Sequence, residues 1–220
     1  MHLSTEERRR IDQCVAAFET HTGAQVVTAV VGQSDNYPEI PWKAFALGAS
    51  VTALLRLLLD LARPDWLTGY GTLFDAVLIL GVGATLALVT MRLHAFARMF
   101  LHGTRAETAV IQHARILFLR HEVFATPMRN GVLILVSTFE RRVVILPDTG
   151  LHAQIGDVEL HPIIDRMTTL LAEAKVCDAL CGGVTGVEAL LAGMGFHATG
   201  NEDARLPDAV IEENDSDARA

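Results

Sequence analysis

Lys43–Ala62 (KAFALGASVTALLRLLLDLA) and Tyr70–Met91 (YGTLFDAVLILGVGATLALVTM) are two apolar runs separated by a short polar connection. Each matches the roughly 20 residues an α-helix needs to cross a hydrocarbon core of about 30 Å. Arg56 and Asp60 interrupt the first run and Asp75 the second. Both faces of both helices are apolar, whereas a helix in a soluble core normally keeps a polar stripe. The connection Arg63–Gly69 (RPDWLTG) is polar and carries a tryptophan suited to a membrane interface. Residues 43–92 are therefore predicted to form a transmembrane helical hairpin. The alternative is a helical hairpin buried in a soluble core.

Upstream, Ser4 and Glu7 form an S-x-x-E capping box. A helix is predicted from there to about Glu19, with Ile11, Val15 and Phe18 on one face and Thr22-Gly23 ending it. Ala24–Val31 (AQVVTAVV) is β-branched and reads as a buried strand, and Gly32–Pro41 as a loop. Downstream, Leu93–Leu101 (LHAFARMFL) is amphipathic and basic. Residues 93–103 are predicted to lie along the membrane surface, with Phe96, Met99 and Phe100 toward the acyl chains and Arg92 and Arg98 at the headgroups. Thr104-Arg105-Ala106-Glu107 is a second capping box, opening a helix to about His121. Gly131–Ser137 (GVLILVS) and Arg142–Leu146 (RVVIL) read as an antiparallel hairpin turning through Thr138–Arg141. A helix beginning at Pro162 runs to about Asp178, and Gly182-Gly183 separates it from a last helix over Val184–Ala192.

Residues 1–42 and 104–198 are thus two parts of one small α/β domain around the hairpin, and residues 199–220 form a mobile acidic tail. Both ends of the hairpin must emerge on one membrane face. Lys43, Arg92, Arg98 and Arg105 flank that face, against Arg63 and Arg56 near the other, so the α/β domain is predicted to be cytoplasmic.

Half of the residues are hydrophobic and the mean hydropathy is +0.32, high for a soluble chain. The net charge of −8 argues against nucleic acid as a partner. Three cysteines, Cys14, Cys177 and Cys181, suit a reducing compartment and give no disulfide framework. Cys177 and Cys181 share a helix face and read as packing. The first residues lack the apolar core of a signal peptide.

The order Thr126-x-x-Arg129-Asn130-Gly131-V-L-I-x-x-Ser137, then Glu140-Arg141-x-V-x-I-x-x-Asp148-x-Gly150-Leu151-His152, resembles the TPM domain family. That family includes plant thylakoid-lumen proteins described as acid phosphatases and many bacterial membrane proteins. The resemblance spans about residues 114–196 and, more loosely, residues 3–31. It implies a Rossmann-like three-layer α/β/α domain, here with an inserted transmembrane hairpin, in a bacterial inner membrane. It also implies a phosphatase or divalent-metal site near the strand ends. Family members often carry acidic residues just before the G-V-L strand, where this chain has Arg129 and Asn130.

Hydrolysis needs clustered carboxylates for a metal or an activated nucleophile. Asp148 and Asp35, each following a strand, are the candidate ligands for a divalent cation such as calcium or magnesium. They converge only if their two strand ends meet. Arg129 and Asn130 could bind an anion or simply turn the chain into the strand. Glu140 and Arg141 read as the hairpin turn, Thr126 as a helix end, and Asp157 and Glu159 as surface or capping groups. His113 and His121 are too far apart for one metal-binding helix face, and His152 and His161 read as surface groups. No G-x-S-x-G, P-loop or G-x-G-x-x-G fingerprint is present, so no cofactor-binding residue is assigned. The chain is expected to be a membrane-anchored accessory or interaction module, with the lipid bilayer and other membrane proteins as partners. The alternative is a metal-dependent phosphomonoester hydrolase. Whether it is an enzyme rests on the resemblance alone.

Within the hairpin, Arg56 and Asp75 lie about 10 and 8 Å from the same membrane face at 1.5 Å per residue. An ion pair between them is predicted, with Asp60, one turn from Arg56, as the competing partner.

Overall fold

The computed structural model describes residues 3–62, 69–152, 155–196 and 210–213. The connection at residues 63–68 and most of the acidic tail lie outside them. The chain divides into two compact units, one of residues 1–35 and 104–220 and one of residues 36–103.

The first unit is built on a four-stranded sheet of order β3-β2-β1-β4. Its strands are β1 (Gln25–Val31), β2 (Gly131–Ser137), β3 (Arg142–Pro147) and β4 (Ile211–Glu213). β1 runs parallel to β2 with Gln25 opposite Gly131 and Val31 opposite Ser137. β3 returns antiparallel to β2, pairing Ser137 with Arg142 and Val132 with Pro147. Every residue of β2 is buried, as a central strand covered on both faces requires.

Alternate side chains of β1 and β2 face two cores. Val26, Val30, Val132, Ile134 and Val136 join α1 (Thr5–Thr22), α7 (Asp157–Ala172) and α8 (Val176–Gly193). Val27, Ala29, Val31, Leu133 and Leu135 meet Val110, Ala114 and Leu117 of α5 (Gly103–Arg120). The sheet is thus covered by helices on both sides, a mixed α/β fold.

α1 begins at the capping box. The Glu7 amide donates to Ser4 Oγ at 3.2 Å, and the Ser4 amide to the Glu7 carboxylate at 2.8 Å. Those bonds hold the Glu7 carboxyl below its ordinary range. Gly23, at φ 67°, ends the helix in the left-handed conformation.

Four features differ from the sequence reading. α5 starts at Gly103, so Thr104 lies inside the helix and not at its cap. α7 starts at Asp157, so Pro162 sits in its interior; the hydrogen bond the proline lacks falls on the exposed side, near Val158. α8 runs unbroken through Gly182-Gly183. A Cβ on Gly183 would press on the Met167 sulfur, so the glycine lets α7 pack close and does not stop the helix. The break comes at Glu173–Lys175, where Ala174 adopts φ 60° and its amide bonds the Leu171 carbonyl at 3.0 Å. Finally, Ile211–Glu213 of the acidic stretch add to the sheet edge as β4, parallel to Ala29–Val31. An Arg8–Glu212 ion pair of 2.7 Å fastens that strand to α1.

The second unit holds α2 (Glu39–Ala62) and α3 (Gly69–Arg92). They approach closely at two glycines. A Cβ on Gly48 would lie 2.7 Å from Leu86 Cδ1, and one on Gly83 2.9 Å from the Phe45 ring. Among the described residues, three helices are long and apolar enough to cross a membrane, α2, α3 and α8. Half of the α8 span is buried in its own unit, against 11% for α2 and 6% for α3. Only the last two leave their leucines bare: Leu61 is 81% and Leu73 69% exposed. After α3, Leu93 leaves helical geometry at φ −113° and ψ 93°. The following segment is a single turn, α4 (His94–Ala97), continued by a 3-10 turn over Arg98–Phe100. Phe96 and Phe100 stack edge to face at 5.4 Å, and Lys43 Nζ donates to the Phe100 carbonyl at 3.3 Å.

Candidate functional site

The residues of the T-x-x-R-N-G and D-x-G motifs meet at one end of the sheet, where β1 and β2 begin and β3 ends. Arg129 sits at φ 55° in the turn entering β2. Its Nε lies 3.0 Å from Asp148 Oδ2. Its NH1 donates to the Phe124 carbonyl at 3.3 Å, and its guanidinium lies 5.7 Å over the Phe124 ring. Asp148 is only 3% exposed. Its Oδ1 accepts the Thr149 amide at 2.7 Å, opening the short helix α6 (Thr149–His152). The Asn130 amide donates to Thr126 Oγ1 at 3.0 Å, and its side chain to the Gly23 carbonyl at 2.9 Å, just before β1. The Gly150 amide donates to the Arg129 carbonyl at 3.0 Å, closing the ring of contacts.

This cluster is a knot of loops whose polar groups serve one another. Asp148 already holds a cation, the Arg129 guanidinium, and Arg129 already holds an anion. The two charges neutralise each other within the cluster. Replacing Arg129 by Met is expected to leave a buried carboxylate without its counter-charge. With Arg129 half exposed, the loss should be about 1–3 kcal/mol, below that of a fully buried pair. Adding Asp148→Asn should recover most of it, because the amide keeps the bond to Thr149. Thermal unfolding of the single and double variants checks this; equal melting temperatures for the parent and Arg129→Met would refute the counter-charge role.

Asp35 lies at the opposite end. β1 and β2 run parallel, so the loop after β1 emerges beside the exit of β2, whereas antiparallel β3 carries Asp148 back to the entrance. The structure therefore does not bring Asp35 and Asp148 together, and no cation can be shared between them. Asp35 is partly exposed and pairs with Arg105 at 3.4 Å.

That exit end contains Glu140, which lies in the predicted hairpin turn and has a second role there. Glu140 is 8% exposed. One carboxylate oxygen accepts the Ser34 amide at 3.0 Å, and the other accepts the Ser137 hydroxyl. It ties the exit loop of β1 to the β2–β3 hairpin, alongside the Phe139 amide bond to the Gly32 carbonyl at 2.9 Å. The only signal for it was its place opposite the exit of β1, invisible until β1 and β2 are known to pair. Among the described residues no group of three or more histidine, cysteine or acidic side chains is placed to hold a metal ion.

In the second unit Arg56 forms an ion pair with Asp75: its NH2 donates to Oδ2 at 2.9 Å, and its Nε lies 2.7 Å from Oδ1. Asp60 lies 3.5 Å from the same guanidinium.

No curated protein matches the chain. The NMR structure of BA42 protein from the psychrophilic bacterium Bizionia argentinensis is similar over 97% of each chain, with a TM-score of 0.57 at 14% identity. At that identity the likeness shows a shared fold. The TPM domain model matches residues 98–190, the stretch that contains the whole β2–β3 hairpin and the knot around Arg129 and Asp148, so this part of the chain is similar to the TPM domain.

Proposed function

We propose that the chain is a membrane-anchored TPM-like α/β module with an accessory or interaction role in a bacterial inner membrane, its α/β domain on the cytoplasmic side. One observation carries the non-catalytic part of this reading: the motif residues are consumed in holding three loops together, with Asp148 neutralised from within by Arg129. The anchor is supported by α2 and α3, whose leucine-rich surfaces are uncovered. A bilayer would cover them at a gain of roughly 25 cal/mol per Å² of apolar surface. Lys43, Arg92, Arg98 and Arg105 near the domain side favour the cytoplasmic orientation. The partners are then the lipid bilayer and other membrane proteins.

The purified full chain is expected to show no turnover of a generic phosphomonoester across pH, with or without calcium or magnesium. Turnover abolished by Asp148→Ala would replace this reading with the metal-dependent phosphatase. The chain should stay in carbonate-washed membranes, and a reporter active only in the periplasm should stay silent at its C-terminus. A strong periplasmic signal would reverse the orientation.

A further inference from the structure

Three thiols meet on the seam between α1 and α8. The sulfur of Cys14 lies 2.6 Å from that of Cys181. Cys177, one turn earlier on α8, faces the same seam; its thiol donates to the Glu7 carbonyl at 3.7 Å, and that of Cys181 to the Arg10 carbonyl at 3.8 Å. All three are free, Cys14 partly exposed and the other two buried. Burial pushes both buried thiols above the ordinary range, while the nearby Arg10 guanidinium works in the other direction. The thiol that meets a reagent first is therefore Cys14, and its nearest neighbour is Cys181.

We propose that Cys14 and Cys181 are a modification site, forming a reversible disulfide that staples α1 to α8 when the chain meets a low-molecular-weight disulfide such as glutathione disulfide. The Cys14 thiolate attacks one sulfur of the oxidant, forming a mixed disulfide and releasing one small thiolate. Cys181 then attacks the Cys14 sulfur, forming the internal bond and releasing the second. The two protons lost by the protein thiols go to the two small thiolates, so two protein thiols are oxidised and one small disulfide is reduced to two thiols. Closing the sulfurs to a bonded separation of about 2.05 Å needs about half an ångström, within the reach of side-chain rotation. Burial of Cys181 slows the second step by keeping its thiolate scarce, so the reaction should quicken as pH rises. In a reducing compartment the staple stays open until the oxidant rises. Once closed, it joins the segment before β1 to the second half of the α/β unit, across the whole insertion.

The test uses the full chain in detergent, equilibrated with glutathione disulfide, then unfolded in denaturant in the presence of an alkylating reagent so that buried thiols are counted. One alkylated cysteine, Cys177, is expected, together with a mass lower by two hydrogens and a cross-linked peptide joining Cys14 to Cys181. Dithiothreitol should restore three alkylatable thiols. Cys177→Ser should keep the link. Cys14→Ser, at a partly exposed position on the edge of the core, should abolish it, and should also abolish the rise in melting temperature on oxidation. Cys181→Ala should lose the link as well, with its unoxidised melting temperature showing whether α8 still packs. Three alkylatable thiols after oxidation would overturn the proposal, as would a persistent glutathione adduct on Cys14, a link through Cys177, or a link between two chains.

Discussion

Gly131→Ala is expected to destabilise the α/β unit by about 3 kcal/mol or more, at or beyond the upper end of overpacking costs. A Cβ there would collide with the Val123 carbonyl oxygen and lie 2.8 Å from Val123 Cγ1. Val123 is fully buried, and the backbone around it is held by the same knot. Gly150→Ala should act similarly, since its Cβ would lie 2.5 Å from the Arg129 carbonyl oxygen and 2.6 Å from that of Met128. Backbone cannot rotate away as a side chain tip can, so either the turn before β2 or the start of α6 must shift. Gly182→Ala is the control. Nothing lies within 4 Å of its Cβ position, and it sits inside a helix, so alanine should stabilise by roughly 0.5–1 kcal/mol. Gly183→Ala should fall between, because its neighbour is the flexible Met167 side chain. Thermal unfolding by circular dichroism and hydrogen exchange over Val132–Val136 report on this unit. Tryptophan fluorescence would not, because both tryptophans fall in residues 36–103. A change of 1 kcal/mol moves the melting temperature by roughly 2–8 °C, so a Gly131→Ala chain melting with its parent would remove the collision argument.

Those glycines also show what the sequence could disclose. Local signals read well where the cause is local: Ser4 and Glu7 cap α1, Gly23 ends it, and the four residues between Ser137 and Arg142 make a tight hairpin. They failed where packing decides. Gly182-Gly183 looks like a helix stop, yet the pressure of Met167 makes glycine the residue that fits inside α8. The real break, at Ala174, has no glycine to announce it. β4 is three residues long and depends on a contact between Arg8 and Glu212 that no local pattern encodes. The knot itself was more legible than it was read. With Ser137 opposite Arg142, the hairpin register carries Gly131 to the neighbourhood of Asp148. The Asp148 amide donates to the Gly131 carbonyl at 2.8 Å, and Arg129 follows. Counting that register separates Asp148 from the hairpin turn by the length of the strand. The position of Asp35 needed the parallel pairing of β1 with β2, a contact across the whole insertion that the sequence does not display.

The second large effect is expected at Arg56, and it depends on the membrane reading of α2 and α3. An unpaired charge well inside a bilayer costs roughly 2.5–3.5 kcal/mol on insertion scales. Arg56→Leu should be the most damaging single change in the hairpin, because it strips the counter-charge from two carboxylates, Asp75 at 2.7 Å and Asp60 at 3.5 Å. Asp75→Leu should cost less, since the guanidinium can fall back on Asp60. Asp60→Leu should cost least, because the ion pair with Asp75 survives. The double variant Arg56→Leu/Asp75→Leu leaves only Asp60, near the helix end, and should be better tolerated than Arg56→Leu alone. A coupling of about 2 kcal/mol is expected, above the average for neutral hydrogen bonds between membrane helices because both partners are charged. Arg56→Lys should recover only part of it, since an ammonium cannot offer the planar fork that matches a carboxylate. Amounts retained in carbonate-washed membranes give the order of the variants, and unfolding in bicelles gives the cycle. Additive losses, or a double variant worse than either single one, would mean that the pair contributes nothing to joining the two helices and that their fit rests on Gly48 and Gly83 alone.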